Sequence, residues 1–262
     1  MRGALAVGRR LLYGLRGDRR ALALVVGAPV LIIFLFSEVF SAPQRVAHVL
    51  LGLFVFVLTY LLTAVGFLRE RTAGTLERVL VAPVSRTGVV LGYVLGFGVL
   101  ATVQTLVLVG AVVVFLDVEF EHHVALVVLV ALLGALTALG IGIVLSLFAE
   151  SEFQVQQFMP LVIAPQVILG EVFVPVDELA WYLEYPARAM PVTYLVRGLE
   201  YAVLGRGDAG EFRVAVAALA AFAGASILLA AAVVRRVVTP LSILGSISSF
   251  PLATTPRLSW MS

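Results

Sequence analysis

The chain has 262 residues, of which 61% are hydrophobic, with a mean hydropathy of +1.09 and a formal net charge of +2 at pH 7. Because an average soluble domain is roughly 45 to 50% apolar, this chain cannot bury all its apolar runs in one water-soluble core. The composition predicts a membrane protein, and the small net charge excludes the basic footprint of a nucleic-acid-binding protein.

Cysteine and lysine are both missing, and each absence excludes a kind of chemistry. Without cysteine there is no disulfide, thiol nucleophile or thiolate-bound metal. All eighteen basic residues are arginine, so the chain has no lysine for the phosphates of a P-loop. If ATP drives this protein, another polypeptide must bind it. His48, His122 and His123 have no partner at metal-ligand spacing, so we expect neither a metal nor a cofactor on this chain.

Residues 1–20 have the pattern of an amphipathic helix. On a helical wheel, Arg2, Arg9, Arg16 and Arg20 share one face, and apolar side chains such as Val7 lie opposite. A helix with this pattern is expected to lie on the inner leaflet of the membrane.

Six apolar stretches follow, and each is about as long as the 20 residues that cross a bilayer. The first and fifth contain prolines, so tilted or broken helices are expected there. The predicted fold is an all-α membrane protein with a transmembrane domain at 21–234 and a cytoplasmic tail at 235–262. Its expected spans are 21–37, 46–68, 88–116, 124–149, 158–174 and 212–234.

The distribution of arginine predicts the orientation of these spans. Thirteen arginines fall in the segments that are cytoplasmic if the N-terminus is inside, and five fall in the outer segments. Short cytoplasmic loops retain positive charge, so both termini are expected in the cytoplasm of a multi-pass protein.

The first inner loop, 69–87, is a charged interruption between two apolar spans. A short helix can start at Gly74 and Thr75, and Pro83 stops it. Its apolar ridge consists of Leu76, Val79 and Leu80. One or two turns of helix are unstable alone, so another surface should cover this ridge. The residues themselves favour equally a partner protein and the lipid headgroups.

The outer segment between the last two spans, 171–213, is too long for a simple turn. Proline and acidic residues predict one short helix from Pro175 to Pro186 and another from Pro191 to about Leu204. Four of the seven tyrosines lie in this stretch, as in the aromatic belt of a membrane interface. We expect a re-entrant helical hairpin over 175–205, and a loop lying flat on the membrane is the alternative.

Two runs of this sequence resemble the membrane subunit of type 2 ABC exporters. The run "RERTAGTLERVLVAPVSRTGVVLGYVLG" is similar to the family's R-E-[RK]-x-x-G-T-[LM]-E-x-[LI]-L-x-x-P-[VI] loop. The later run "VILGEVFVPVDELAWYLEYPARAMPVTYLVRGLEYAVLG" resembles more loosely its G-x-x-F-P-x-x-x-[LM]-P block. The resemblance implies six spans, an N-terminal interfacial helix, a coupling helix in the first cytoplasmic loop and an outer re-entrant hairpin.

The resemblance also implies partners and a function. Such subunits work in pairs, as a homodimer or a heterodimer of homologous permeases, with two ATP-binding subunits that hold ATP and Mg²⁺. The chain itself is then a transporter subunit and not an enzyme. The implied function is ATP-driven export of a hydrophobic or amphipathic substrate across the plasma membrane of a prokaryote. A drug, an antibiotic, a lipid or a lipid-linked glycan would fit.

Three sets of residues are expected at the functional sites. Glu150 and Glu152 are the expected second inner-loop contact, with a solvated turn as the alternative. The expected exit path comprises Glu171, Phe173, Pro175 and Tyr194. The resemblance implies an ATPase-coupling interface of Arg69, Glu70, Arg71, Gly74, Thr75, Leu76, Glu77, Arg78, Leu80 and Pro83.

Glu171 differs from the uncharged residue that the family usually has at this position. A carboxylate near the end of a span is costly unless it faces water or a partner. It is therefore expected either to line the exit path or to mark the water boundary.

Two other classes of function were compared with export. An ion-coupled secondary transporter, working without an ATPase, would place several ionisable residues at mid-bilayer and show repeated halves. An intramembrane enzyme would need a nucleophile and base, or a metal pair, within the spans. The sequence has neither pattern, so no catalytic residue is expected, and the ion-coupled carrier remains the alternative to the exporter.

Overall fold

The computed structural model describes residues 5–11, 19–39, 46–74 and 86–247, with the backbone alone at 19–26, 86–87, 90 and 235–247. Within these residues all regular structure is helical, which confirms the all-α class. A 3₁₀ turn occupies Val176–Glu178. The α-helices are α1 (5–11), α2 (Arg19–Val39), α3 (Ala47–Thr72), α4 (Arg86–Leu116), α5 (Val124–Ser146), α6 (Glu152–Leu169), α7 (Trp181–Arg188), α8 (Pro191–Leu204) and α9 (Ala209–Ile247).

Four of the described helices are long and apolar enough to cross a membrane. They are Ala47–Thr72, Leu91–Leu116, Val124–Ser146 and Ala209–Val234, with mean hydropathies of 2.3 to 2.8. The apolar part of α2, Gly27–Val39, is shorter and is a fifth candidate. The count of six spans stays a prediction.

Helix α6 starts earlier than the fifth predicted span. Its N-cap is Ser151, whose hydroxyl accepts a hydrogen bond from the Gln154 amide at 3.2 Å, so the helix begins at Glu152. It ends at Leu169, and Glu171 just beyond has a φ of +59°. The polar start and two internal prolines, Pro160 and Pro165, distinguish α6 from the four apolar spans.

Helix α5 is the centre of the bundle and packs against α3, α4, α8 and α9. Small residues allow the close approach: a Cβ on Gly142 would lie 2.9 Å from the carbonyl oxygen of Tyr60 on α3. A Cβ on Gly134 would lie 2.7 Å from the side chain of Leu195 on α8. This stripe of small residues therefore serves helix packing within the subunit.

Helix α1 lies against α4 at the end of the bundle that the arginine distribution predicts to be the inner one. Val7 and Leu11 are buried there, and a Cβ on Gly8 would lie 3.0 Å from the carbonyl oxygen of Gly92. The apolar side of residues 5–11 is thus covered by protein. Its position relative to the inner leaflet stays a prediction.

The outer segment forms two helices, α7 and α8, between α6 and α9. Helix α8 begins at Pro191 and ends at Gly205, whose φ is +66°, close to the expected bounds. The other expected helix is replaced by the 3₁₀ turn followed by α7, which runs through Pro186. Helix α8 packs on α3, α5 and α9, so it is an integral part of the bundle.

Candidate functional site

The last turn of α3 carries the first three residues of the predicted coupling interface, and the first of them binds α6. The Arg69 guanidinium donates from Nε to Glu152 Oε1 at 2.6 Å and from Nη2 to Glu152 Oε2 at 3.0 Å. Two parallel charge-assisted hydrogen bonds fix both position and orientation. The hydrogen bond from Arg69 holds the pKa of the Glu152 carboxyl below its usual value, against the opposing effect of burial.

The second residue, Glu70, joins α3 to two other helices. Its Oε2 accepts a hydrogen bond from Arg10 Nη2 at 2.5 Å and another from the Tyr93 hydroxyl at 3.1 Å. Arg10 belongs to α1 and Tyr93 to α4. The carboxylate of Glu70 is therefore shared between the N-terminal helix and the start of the next span.

The third residue, Arg71, binds the end of α5. Its Nη1 donates to the carbonyl oxygen of Leu147 at 2.7 Å, and its Nη2 donates to the carbonyl oxygen of Ala149. The last carbonyls of a helix have no intrahelical partner, and a guanidinium close to them also compensates the negative end of the helix dipole. Arg71 thus caps α5 from the neighbouring helix.

We call Arg69, Glu70, Arg71 and their partners the inner joint. It connects the end of α3 to α1, α4, α5 and α6 through side chains of one helical turn. The family resemblance implies contacts of Arg69, Glu70, Arg71 and Glu152 with an ATPase, and the fold uses all four side chains for contacts within the subunit. The roles of Arg10 and Tyr93 were missed, because nothing in the sequence pairs side chains so far apart.

Of the other residues predicted to contact an ATPase, the structure describes Gly74 and Glu150. Gly74 ends α3 with a φ of +66°, and a Cβ there would have no heavy atom within 4 Å. Glu150 is exposed, and its backbone amide donates to the Gln154 side chain at 2.8 Å. The other predicted coupling residues, Thr75, Leu76, Glu77, Arg78, Leu80 and Pro83, lie outside the described residues.

An ion pair between the end of α6 and α8 occupies the opposite end of the bundle, which is predicted to be the outer one. Arg197 donates from Nε to Glu171 Oε2 at 2.7 Å and from Nη2 to Glu171 Oε1 at 2.6 Å. The Val176 amide also donates to Oε1 at 3.0 Å, and the Glu171 side chain is only 10% exposed. The hydrogen bond to Glu171 raises the pKa of Arg197. The sequence marks Glu171 as unusual, but nothing in it indicates Arg197 as the partner.

The outer ion pair lines a cavity of about 420 Å³. Carboxylates outnumber guanidinium groups in its wall, where Arg206 approaches Glu200 at 3.7 Å. Among the described residues, no group of three or more histidine and acidic side chains has the arrangement of a metal site.

The predicted exit-path residues do not all meet at this cavity. Glu171 and Pro175 lie in its wall, whereas Phe173 and Tyr194 are outside it. The Phe173 side chain is 75% exposed, and the Tyr194 hydroxyl donates to the carbonyl oxygen of Arg188 at 2.8 Å. An exit path through all four residues stays a prediction.

Comparison with known proteins shows which family this sequence matches. The model of the family described as ABC-2 type transporter matches residues 4–204. Three relatives are similar to parts of the chain. The inner membrane transport permease YadH of Escherichia coli (strain K12) is 28% identical over 169 residues, or 64% of this chain and 66% of the relative. The linearmycin resistance permease protein LnrN of Bacillus subtilis (strain 168) is 27% identical over 146 residues, or 55% of this chain and 38% of the relative. The ABC transporter G family member 20 of Dictyostelium discoideum is 28% identical over 134 residues, or 51% of this chain and 18% of the relative. In each case the match spans less than two thirds of the relative.

Proposed function

Since the chain belongs to the ABC-2 type transporter family, we propose that it is the permease half of an ATP-driven exporter that moves a hydrophobic or amphipathic substrate out of the cytoplasm. Membership makes it a membrane subunit of an ABC transporter, and such permeases work with ATP-binding subunits. The absence of lysine supports ATP and Mg²⁺ binding on those partners. Two ATP-binding subunits and a second permease would complete the assembly.

The inner joint is the observation that best supports this function. Loop 75–85 follows Gly74 directly, so a force on the loop reaches the end of α3 through the backbone. From there the contacts of Arg69, Glu70 and Arg71 lead to four other helices. A movement of an ATPase against the loop would therefore displace several helices together.

Helix α6 offers a direct route from the inner joint to the outer side. Its first residue, Glu152, is held by Arg69, and Glu171 follows two residues after its last. An α-helix of this length spans about 27 Å, close to the thickness of the hydrocarbon core. A displacement of the inner joint would thus reach the Glu171–Arg197 pair through one continuous helix.

The support for a cargo class comes from a relative. The four candidate spans are strongly apolar, as helices in lipid must be, and are compatible with a substrate that partitions into the membrane. LnrN is a linearmycin resistance permease, and this supports a toxic compound as one kind of cargo for the present chain.

Co-expression with its ATP-binding partner tests the function. The Leu76→Asp, Leu80→Asp double variant should insert into the membrane but fail to co-purify with the ATPase, because two carboxylates destroy the apolar ridge. The matched control is Leu258→Asp in the C-terminal tail, which should co-purify normally. Normal co-purification of the double variant would refute the coupling role of the loop. Uphill export by this chain alone, in vesicles free of any ATPase, would refute the ATP-driven exporter.

A further inference from the structure

Five polar side chains lie at the middle of α3 and α4. Thr59, Tyr60 and Thr63 belong to α3, and Gln104 and Thr105 belong to α4. All five are 0 to 2% exposed. Because both helices are apolar membrane-span candidates, these positions correspond to the centre of the bilayer.

The packing of the two helices places these polar groups at one depth. A Cβ on Gly66 of α3 would lie 2.6 Å from the Phe97 ring of α4, so the two positions face each other. Thr59 lies seven residues before Gly66, and Gln104 lies seven residues after Phe97. Because the two helices are antiparallel, both steps of about two turns lead in the same direction. The same register therefore places Thr59 opposite Gln104.

The polar atoms of this group have no hydrogen-bond partner within the described part of the chain. They are three threonine hydroxyls, the Tyr60 hydroxyl and both amide atoms of Gln104. A threonine in a helix often bonds to the carbonyl four residues earlier, as Thr102 does with Gly98 at 2.8 Å. The three threonines at mid-membrane do not make that bond.

Unpartnered polar groups are costly in a membrane interior, where no bulk water satisfies them. Three turns from the Gly66–Phe97 contact, Val55 and Leu108 occupy the same faces of the two helices and are both fully buried. One turn away from Thr59 and Gln104, an apolar pair thus fills the equivalent space between the two helices. The five polar side chains are better explained by a bound molecule than by the packing of the helices.

We propose that the seam between α3 and α4 is a binding site for a neutral cargo that bears hydroxyl or amide groups. Thr59 and Gln104 face each other in this seam, whereas Thr63 lies beside it against Gly142 of α5. All five side chains can donate and accept hydrogen bonds, and none of them is charged. A charged cargo would find no counter-ion there, whereas a hydroxyl or an amide would satisfy both kinds of group. The inference rests on the proposed function, because it treats the guest as cargo. Water has the same hydrogen-bonding chemistry, so the experiment must distinguish the two.

The absence of native cysteine allows a direct test with single-cysteine variants of the full chain in lipid nanodiscs. Thr59→Cys is the probe and Val55→Cys its matched control, since both positions are fully buried on one face of α3. Reaction with N-ethylmaleimide requires the thiolate and therefore a polar environment. We expect Thr59→Cys to react at least about tenfold faster than Val55→Cys.

Two amphiphiles of equal chain length identify the guest. Octyl glucoside, a neutral polyol, should protect Thr59→Cys about threefold at twice its Kd, because protection grows as one plus the ratio of concentration to Kd. Octyltrimethylammonium, which has no hydroxyl, should not protect. Equal protection by both amphiphiles would overturn the proposal, and so would a fast reaction that neither one slows, which would indicate water alone. Equal reaction rates of Thr59→Cys and Val55→Cys would also overturn it.

A second pair of variants repeats the test on α4, in case the α3 variants do not fold. Thr105→Cys and its control Val112→Cys lie on α4, and both positions are fully buried. The same difference in rate and the same selective protection are expected, and their absence would overturn the proposal. The labelling needs no ATPase, so its outcome is separate from that of the co-purification experiment.

Discussion

The Glu171–Arg197 pair should contribute measurably to the stability of the outer end. The Glu171 carboxylate accepts three hydrogen bonds, two from Arg197 and one from the Val176 amide, and is 10% exposed. Hydrogen bonds to charged groups contribute about 1.5 to 3 kcal/mol each, but Arg197 is 39% exposed and solvent screens its charge. We therefore expect Glu171→Gln to lower the free energy of unfolding by about 2 kcal/mol. Glutamine retains the same backbone, so the cost of the left-handed φ cancels in the comparison.

A double-mutant cycle isolates the pair. Glu171→Gln, Arg197→Gln and the double variant would be unfolded in detergent micelles and followed by tryptophan fluorescence. The coupling energy should be about 1 to 2 kcal/mol. The control is the exposed pair Glu184–Arg188 on α7, whose coupling should be about 0.3 to 0.5 kcal/mol. A coupling energy for the outer pair no larger than that of the control would refute the reasoning.

Two further predictions concern the inner joint and the helix packing. Because Arg69 lowers the folded pKa of Glu152, their pair stabilises the fold above about pH 4.5, and this contribution is lost as the pH falls through the lowered value. Glu152→Gln should remove this acid-dependent loss of stability. Unfolding curves of both proteins at about pH 7 and about pH 3 measure it, and an unchanged loss in the variant would contradict the prediction. Gly142→Ala should destabilise the fold by about 1 to 3 kcal/mol, because the added methyl group would lie 2.9 Å from a backbone oxygen of α3. The control is Gly110→Ala, where an added methyl group would have no atom within 4 Å, and it should be neutral or stabilising by up to about 1 kcal/mol. An equal loss of stability in both variants would contradict the close packing at Gly142.

The length of each apolar run predicted several helices closely. The expected span at 46–68 corresponds to Ala47–Thr72, and the one at 124–149 corresponds to Val124–Ser146. In lipid every backbone polar group must be satisfied within the segment, so an apolar run has helix as its main option. Where polar residues and prolines mix with apolar ones, as in α6, hydropathy gave poorer bounds and the cap at Ser151 decided the start.

The partners of the charged residues could not be predicted in this way. Glu70 meets Arg10 across 60 positions of sequence, and Arg69 meets Glu152 across 83. Such pairs depend on which faces of the helices meet, and an apolar run carries little information about its own rotation. For the same reason the four expected exit-path residues could not be divided in advance into those that share the outer cavity and those that do not.

The sequence by itself determined that the chain is a helical membrane protein and, through two recognisable runs, which family it resembles. Both follow from local properties, namely the length of apolar runs and the order of residues in a motif. Only the tertiary structure decided that the turn at 69–71 is an internal joint, that Glu171 is neutralised by Arg197, and that polar groups of α3 and α4 share one depth. These features arise from close packing, which brings distant residues together at particular rotations and registers of the helices.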